Sequence, residues 1–151
     1  MEKVLIALDF NPAAEKVATA GYRVAKALGA EITLVHVIAD PAYYAMDYSP
    51  IMGYTGQYTA GALEMVDDIK KEVAKFLASA AGHLGDKNIK TAVLEGETQH
   101  AILEYAGEIK AGLLVLGTHA HHGLDRIFGV DTAQYVLKHT KVPMLAIPTE
   151  E

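Results

Sequence analysis

Two apolar patterns take turns along this chain. Short, nearly uncharged runs occupy Val4–Leu8, Glu31–Ile38, Ile89–Leu94, Leu113–Leu116 and Val142–Ile147. Runs of this length and composition suit strands buried on both faces. Between them, apolar residues recur every three or four positions, the period of a helix with one buried face. Ala14, Val17, Gly21, Val24 and Leu28 form the first such stripe, with Asn11-Pro12 as cap and first-turn proline and Gly29 as the stop. A long second helix turns Met65, Ile69, Val73, Phe76, Ala80 and Leu84 inward and Lys70, Lys71 and Lys75 outward. Thr98 is placed to cap a third, containing Ile102, Leu103, Ala106 and Ile109. A fourth is expected from Asp131 to His139.

Strand alternating with helix predicts an α/β fold, a doubly wound five-stranded parallel sheet with helices on both faces. One domain is expected across residues 1–151, with residues 40–60 as an insertion. That insertion holds five tyrosines and no clear period, and its tyrosines are expected to cover the sheet edge or a partner subunit. In open sheets of this kind ligands bind beyond the carboxyl ends of the strands, where strand order reverses. Asp9 ends the first strand and Gly117 the fourth, which makes them the positions to watch.

Composition narrows the function. Net charge is −6, with 13 Lys and Arg against 19 acids, and no concentrated basic stripe of the kind a nucleic-acid surface needs. Nucleic acid is therefore not an expected partner. Cysteine is absent, which removes disulfides, thiolate chemistry and zinc-thiolate sites. No apolar run reaches membrane-spanning length. The amino terminus begins with an acid and breaks its apolar run early, unlike a signal peptide. The expected location is the cytoplasm.

The richest segment is Gly117-Thr-His-Ala-His-His-Gly-Leu-Asp-Arg-Ile-Phe-Gly-Val-Asp-Thr-Ala-Gln-Tyr-Val-Leu137. It joins an apolar strand to a helix, as phosphate-cradling loops do. Together with Val-Leu-Ile-Ala-Leu-Asp-Phe at the start, Leu-Val-His-Val-Ile in strand two, Val-Leu-Glu-Gly-Glu before helix three and Val-Pro-Met-Leu-Ala-Ile-Pro at the end, it resembles the small single-domain type of the universal stress protein family. The resemblance runs from about residue 2 to 148 and implies a Rossmann-like, adenine nucleotide alpha hydrolase-like fold. It also implies a homodimer built on the last strand, here 142–147.

One branch of that family binds ATP between strands one and four through a Gly, two residues, Gly, nine residues, Gly, Ser/Thr pattern. Here Gly117 and Thr118 match, and His119 stands where the family often has histidine. The second glycine is replaced by Ala120, the third by Val130 and its hydroxyl partner by Asp131. Gly129 falls one position early. A carboxylate capping helix four would sit in the anion site itself. A like charge about 4 Å away costs about 4 kcal/mol at an effective dielectric near 20, roughly a thousandfold in affinity. Two arrangements avoid this: Mg²⁺ bridging Asp131 and the phosphates, or a one-residue slip onto Gly129 with Thr132 as hydroxyl donor. The base-and-ribose half is better kept, with Asp9 to accept ribose hydroxyls and Val37 to meet adenine by its backbone. ATP with Mg²⁺ is thus the candidate cofactor, and a site without nucleotide the alternative.

Other chemistries fare worse. A Walker loop, a Ser-Gly-Gly-x-Asp-Ser loop, a flavodoxin-like phosphate loop and a phosphoreceiver's acidic pair are all missing, and no Ser stands beside an evident base. The reading is a non-catalytic stress-response dimer with a degenerate nucleotide loop. The first alternative is a nucleotide-dependent switch or weak ATPase. The second is a metal-binding protein using His119, His121 and His122, since imidazoles suit transition metals. His36, within an apolar strand, is expected to be hydrogen-bonded in the core, and His83, His100 and His139 carry no signal.

Overall fold

A computed structural model of the chain describes residues 2–39, 62–118 and 132–149. The expected tyrosine-rich insertion and the whole segment 119–131 lie outside these. Five strands, β1 (Lys3–Ala7), β2 (Glu31–Ile38), β3 (Lys90–Glu95), β4 (Leu113–Thr118) and β5 (Met144–Pro148), form one parallel sheet in the order β3-β2-β1-β4-β5. Among the described residues four helices connect them: α1 (Ala14–Leu28), α2 (Ala62–Leu84), α3 (Thr98–Glu108) and α4 (Thr132–His139). None of the described helices is long and apolar enough to cross a membrane.

Alternation along the strands splits the core in two. Val4 and Ile6 of β1, with Ile32, Leu34 and Ile38 of β2, pack against α1 and α2 through Val17, Ala18, Ile69, Val73 and Leu77. Leu5 and Ala7, with Val35, Val37, Leu114 and Leu116, face α3 and α4 through Ile102, Ala106 and Val136. Both faces of β1 are therefore covered, which explains the unbroken apolar run Val4–Leu8 that begins within it.

The helix stripes needed correction in two places. In α1 the buried set is Ala14, Val17, Ala18, Gly21 and Ala25, while Leu28 is 53% exposed. The 14-18-21-25 spacing is the true contact line, and its small residues let the helix sit close to the sheet. A Cβ built on Gly21 would lie 2.8 Å from Ile6 Cδ1 and 3.2 Å from Val115 Cγ1. In α2, Leu77 is fully buried whereas Phe76, Ala80 and Leu84 are only partly covered.

The helix ends differ in similar detail. Asn11 does not hold the expected cap: that position falls on Ala13, without a side-chain cap bond. Asn11 and Pro12 lie in the turn before the helix, where Asn11 Oδ1 accepts from the Ala13 N–H at 2.9 Å and its carbonyl from the Ala14 N–H at 3.1 Å. Gly29 closes α1 as expected, in the left-handed conformation at φ 66°. Thr98 does not cap α3. It is the first helical residue, and Glu97 holds the cap position without a side-chain cap bond. The Glu97 carboxylate is engaged with His100 instead.

Candidate functional site

Strand order reverses between β1 and β4, since β2 and β3 lie on one side of β1 and β4 and β5 on the other. The crossovers leave a crevice at the carboxyl ends of the two central strands. There the chain runs Ala7-Leu8-Asp9-Phe10-Asn11, with Leu8 and Phe10 buried and Asp9 exposed. Leu8 is fixed from both sides. Its N–H donates to the Val35 carbonyl at 2.8 Å, and its own carbonyl accepts from His36 Nδ1 at 2.6 Å. Asp9 is thus carried outward between two anchored apolar residues.

The resulting cleft encloses about 210 Å³ of empty space, part of it open to solvent. Asp9 and Asn11 line one side, with Ala13, Ala14 and Val17 of α1 beside them. Gly117 and Thr149 line the other. The cleft walls combine a carboxylate with the amino end of α1, where backbone N–H groups and the helix dipole favour negative charge.

Gly117 is needed for packing as well as for access. A Cβ there would lie 2.8 Å from Val17 Cγ2 and 3.0 Å from Thr149 Cγ2. Thr118 points elsewhere: its hydroxyl is 3.5 Å from the Ile147 carbonyl oxygen, and its own carbonyl accepts from the Thr149 hydroxyl. That second contact holds the segment after β5 against the end of β4 and brings Thr149 into the cleft.

Of the residues expected at a nucleotide site, Asp9 and Gly117 meet in this cleft. Val37, Thr118 and Thr132 are not among its described lining. Val37 pairs with Leu94 of β3 and lies beyond the last β1–β2 pair, Ala7 with Val35. Its side chain is committed to the α3 core. Thr132 opens α4. His119, Gly129 and Asp131 lie outside the described residues, as do His121 and His122. Among the described residues no group of three or more acids and histidines is arranged to hold a metal ion.

Sequence reasoning missed Asn11, Ala13, Ala14, Val17 and Thr149 as lining. Thr149 carried no signal, because only the parallel pairing of β5 with β4 brings it to Gly117. His36 behaves as expected for a core histidine. It is 6% exposed, with its ring centroid 6.0 Å from Phe10 and 6.4 Å from Phe76. Burial holds its pKa below the usual imidazole value, opposed by the bond to Leu8 and the nearby charge of Asp9.

Known proteins resemble this chain along its whole length. The model of the universal stress protein family matches residues 1–148. Universal stress protein A homolog 1 of Coxiella burnetii is 28% identical over 98% of this chain and 96% of its own. A universal stress protein of Methanocaldococcus jannaschii is 29% identical over 97% of this chain and 81% of its own. Among solved structures, a universal stress protein in complex with cAMP superposes with a TM-score of 0.66 at 18% identity, covering 99% of this chain and 98% of that one. The Archaeoglobus fulgidus protein in complex with dAMP gives 0.62 at 18% identity, covering 97% and 98%. Those structural likenesses concern the fold. The chain belongs to the universal stress protein family.

Proposed function

We propose that this protein is a cytoplasmic stress-response regulator that holds an adenine mononucleotide in the β1–β4 cleft and does little or no chemistry on it. The observation that carries this reading is the meeting of Asp9 and Gly117 at the point where strand order reverses. An exposed carboxylate there is suited to accept two ribose hydroxyls, and the amino end of α1 favours a nearby phosphate. Two relatives of the same fold are described as complexes with cAMP and dAMP, each a ligand with a single phosphate.

The preference for one phosphate over three comes from Asp131, which stands where the ATP-binding branch has Ser or Thr. By charge alone, an acid at that sequence position opposes a triphosphate more strongly than a single phosphate. Equilibrium dialysis of purified protein against AMP, cAMP and ATP, with and without Mg²⁺, tests this directly. AMP or cAMP should bind at least tenfold more tightly than ATP without Mg²⁺, and Asp131→Ser should recover ATP binding selectively. ATP binding tighter than AMP in the metal-free arm, unchanged in Asp131→Ser, contradicts the reading. Tight ATP binding only with Mg²⁺ would instead favour the bridged arrangement and a nucleotide-dependent switch.

Dimerisation through the last strand belongs to the same proposal. β5 is an edge strand of short apolar sequence between Pro143 and Pro148, and an unpaired edge of that kind invites a second copy.

A further inference from the structure

Away from the cleft, on the α3–α4 side of the sheet, three side chains form a linear chain of contacts. Glu97 Oε2 is 3.0 Å from His100 Nδ1, and His100 Nε2 is 3.1 Å from the Tyr135 hydroxyl. With Nδ1–H given to the carboxylate, Nε2 is left to accept the phenolic proton. Carboxylate, imidazole and hydroxyl in this order are the parts of a general-base relay, in which the acid orients the ring and stabilises its charged form. The phenol is also held in place. His139 stacks on the Tyr135 ring at 4.1 Å with 20° between planes, and its Nδ1–H donates to the Tyr135 carbonyl at 2.8 Å.

We infer that Tyr135 is a nucleophilic site for activated acyl groups, with His100 as the base and Glu97 as the residue that positions it. The side chains of Glu97 and His100 are each 60% exposed, so small esters reach the relay without passage through the cleft. In the first step Tyr135 Oη attacks the ester carbonyl carbon while its proton passes to His100 Nε2. Collapse of the tetrahedral intermediate breaks the bond to the leaving oxygen, which takes the proton from the imidazolium and departs as the alcohol. Water then attacks the tyrosyl ester with the same imidazole as base, releasing the carboxylic acid and restoring the phenol. The sum is ester hydrolysis, with water as the only co-reactant, and it is independent of nucleotide occupancy.

The test uses the whole purified chain and 4-nitrophenyl acetate, with nitrophenolate release followed by absorbance and acetylated peptides mapped by mass spectrometry. Tyr135 should acetylate at least tenfold faster than Tyr22 or Tyr105. Tyr135→Phe, which keeps the stacked ring, should lose that label with an unchanged melting temperature. His100→Gln should slow it at least about a hundredfold, the lower end of the range for general-base catalysis, and change the pH–rate profile. Glu97→Gln should slow it severalfold and serves if the histidine variant folds poorly. Acetylation of Tyr135 no faster than of the two reference tyrosines, or a rate and pH profile unchanged by His100→Gln, overturns the proposal.

Discussion

Gly117 is the residue where packing and site meet, and its substitution separates steric from conformational cost. In Gly117→Ala the new methyl would press on Val17 and Thr149 at 2.8 and 3.0 Å. Overpacking of this kind costs about 1–3 kcal/mol and would push α1 or the end of β5 away from the cleft. Gly82→Ala is the control. Nothing lies within 4 Å of its Cβ and it sits within α2, so replacing helical glycine should stabilise the fold by about 0.5–1 kcal/mol. Chemical denaturation of both variants should give shifts of opposite sign. At His36 the sign also follows from burial. Its folded pKa is depressed, so the unfolded chain takes up the proton first as pH falls. The neutral ring's contribution is thus complete above the ordinary imidazole value, near 6.5, and is lost progressively as pH drops below it. His36→Leu should flatten that part of the stability–pH curve, measured by urea midpoints between about pH 7 and 5.

At the scale of elements, the sequence made the order and type of every described strand and helix readable, because each strand contains a short, mainly apolar run and each helix carries a stripe. Helix rotation was harder to read. Counting bulky residues put Leu28 inside, whereas the sheet chose the small-residue line through Ala18, Gly21 and Ala25, since close approach gains contacts along the whole helix. Thr98 lost the cap of α3 for a comparable local reason: the helix begins one residue after Glu97, whose carboxylate is turned to His100. The loop before β3 shows how one acid ties elements together. Asp86 accepts from the Asn88 N–H at 2.9 Å and lies 3.4 Å from the Tyr22 hydroxyl and 3.5 Å from Lys26 Nζ, both on α1. The Asn88 bond is the first cause of its depressed pKa, ahead of the Lys26 charge. Its contribution is therefore present above the ordinary carboxylate value and fades as pH falls through the lowered one. Asp86→Asn should lower the urea midpoint at pH 7, and the gap to wild type should close at low pH.

For the whole molecule, parallel pairing sets what the sequence could and could not place. Asp9 and Gly117 were legible because strand ends mark the switch point of such sheets. Thr149 and Tyr135 were not, since their partners lie 31 and 35 residues away in sequence and meet only once β5 joins β4 and α4 lies beside α3. The same topology leaves β5 at the edge, and light scattering at micromolar concentration should report a dimer. A proline placed within the strand, Ala146→Pro, should shift it toward monomer, and a wild-type monomer would count against pairing through β5. The central claim concerns the cleft, and calorimetric titration of AMP into wild-type and Asp9→Ala protein tests it most directly. The account predicts one saturable site per chain in the wild type, weakened about tenfold to a hundredfold in Asp9→Ala by loss of charge-assisted hydrogen bonds to ribose. No saturable binding to the wild type, or equal affinity in the two proteins, would contradict it.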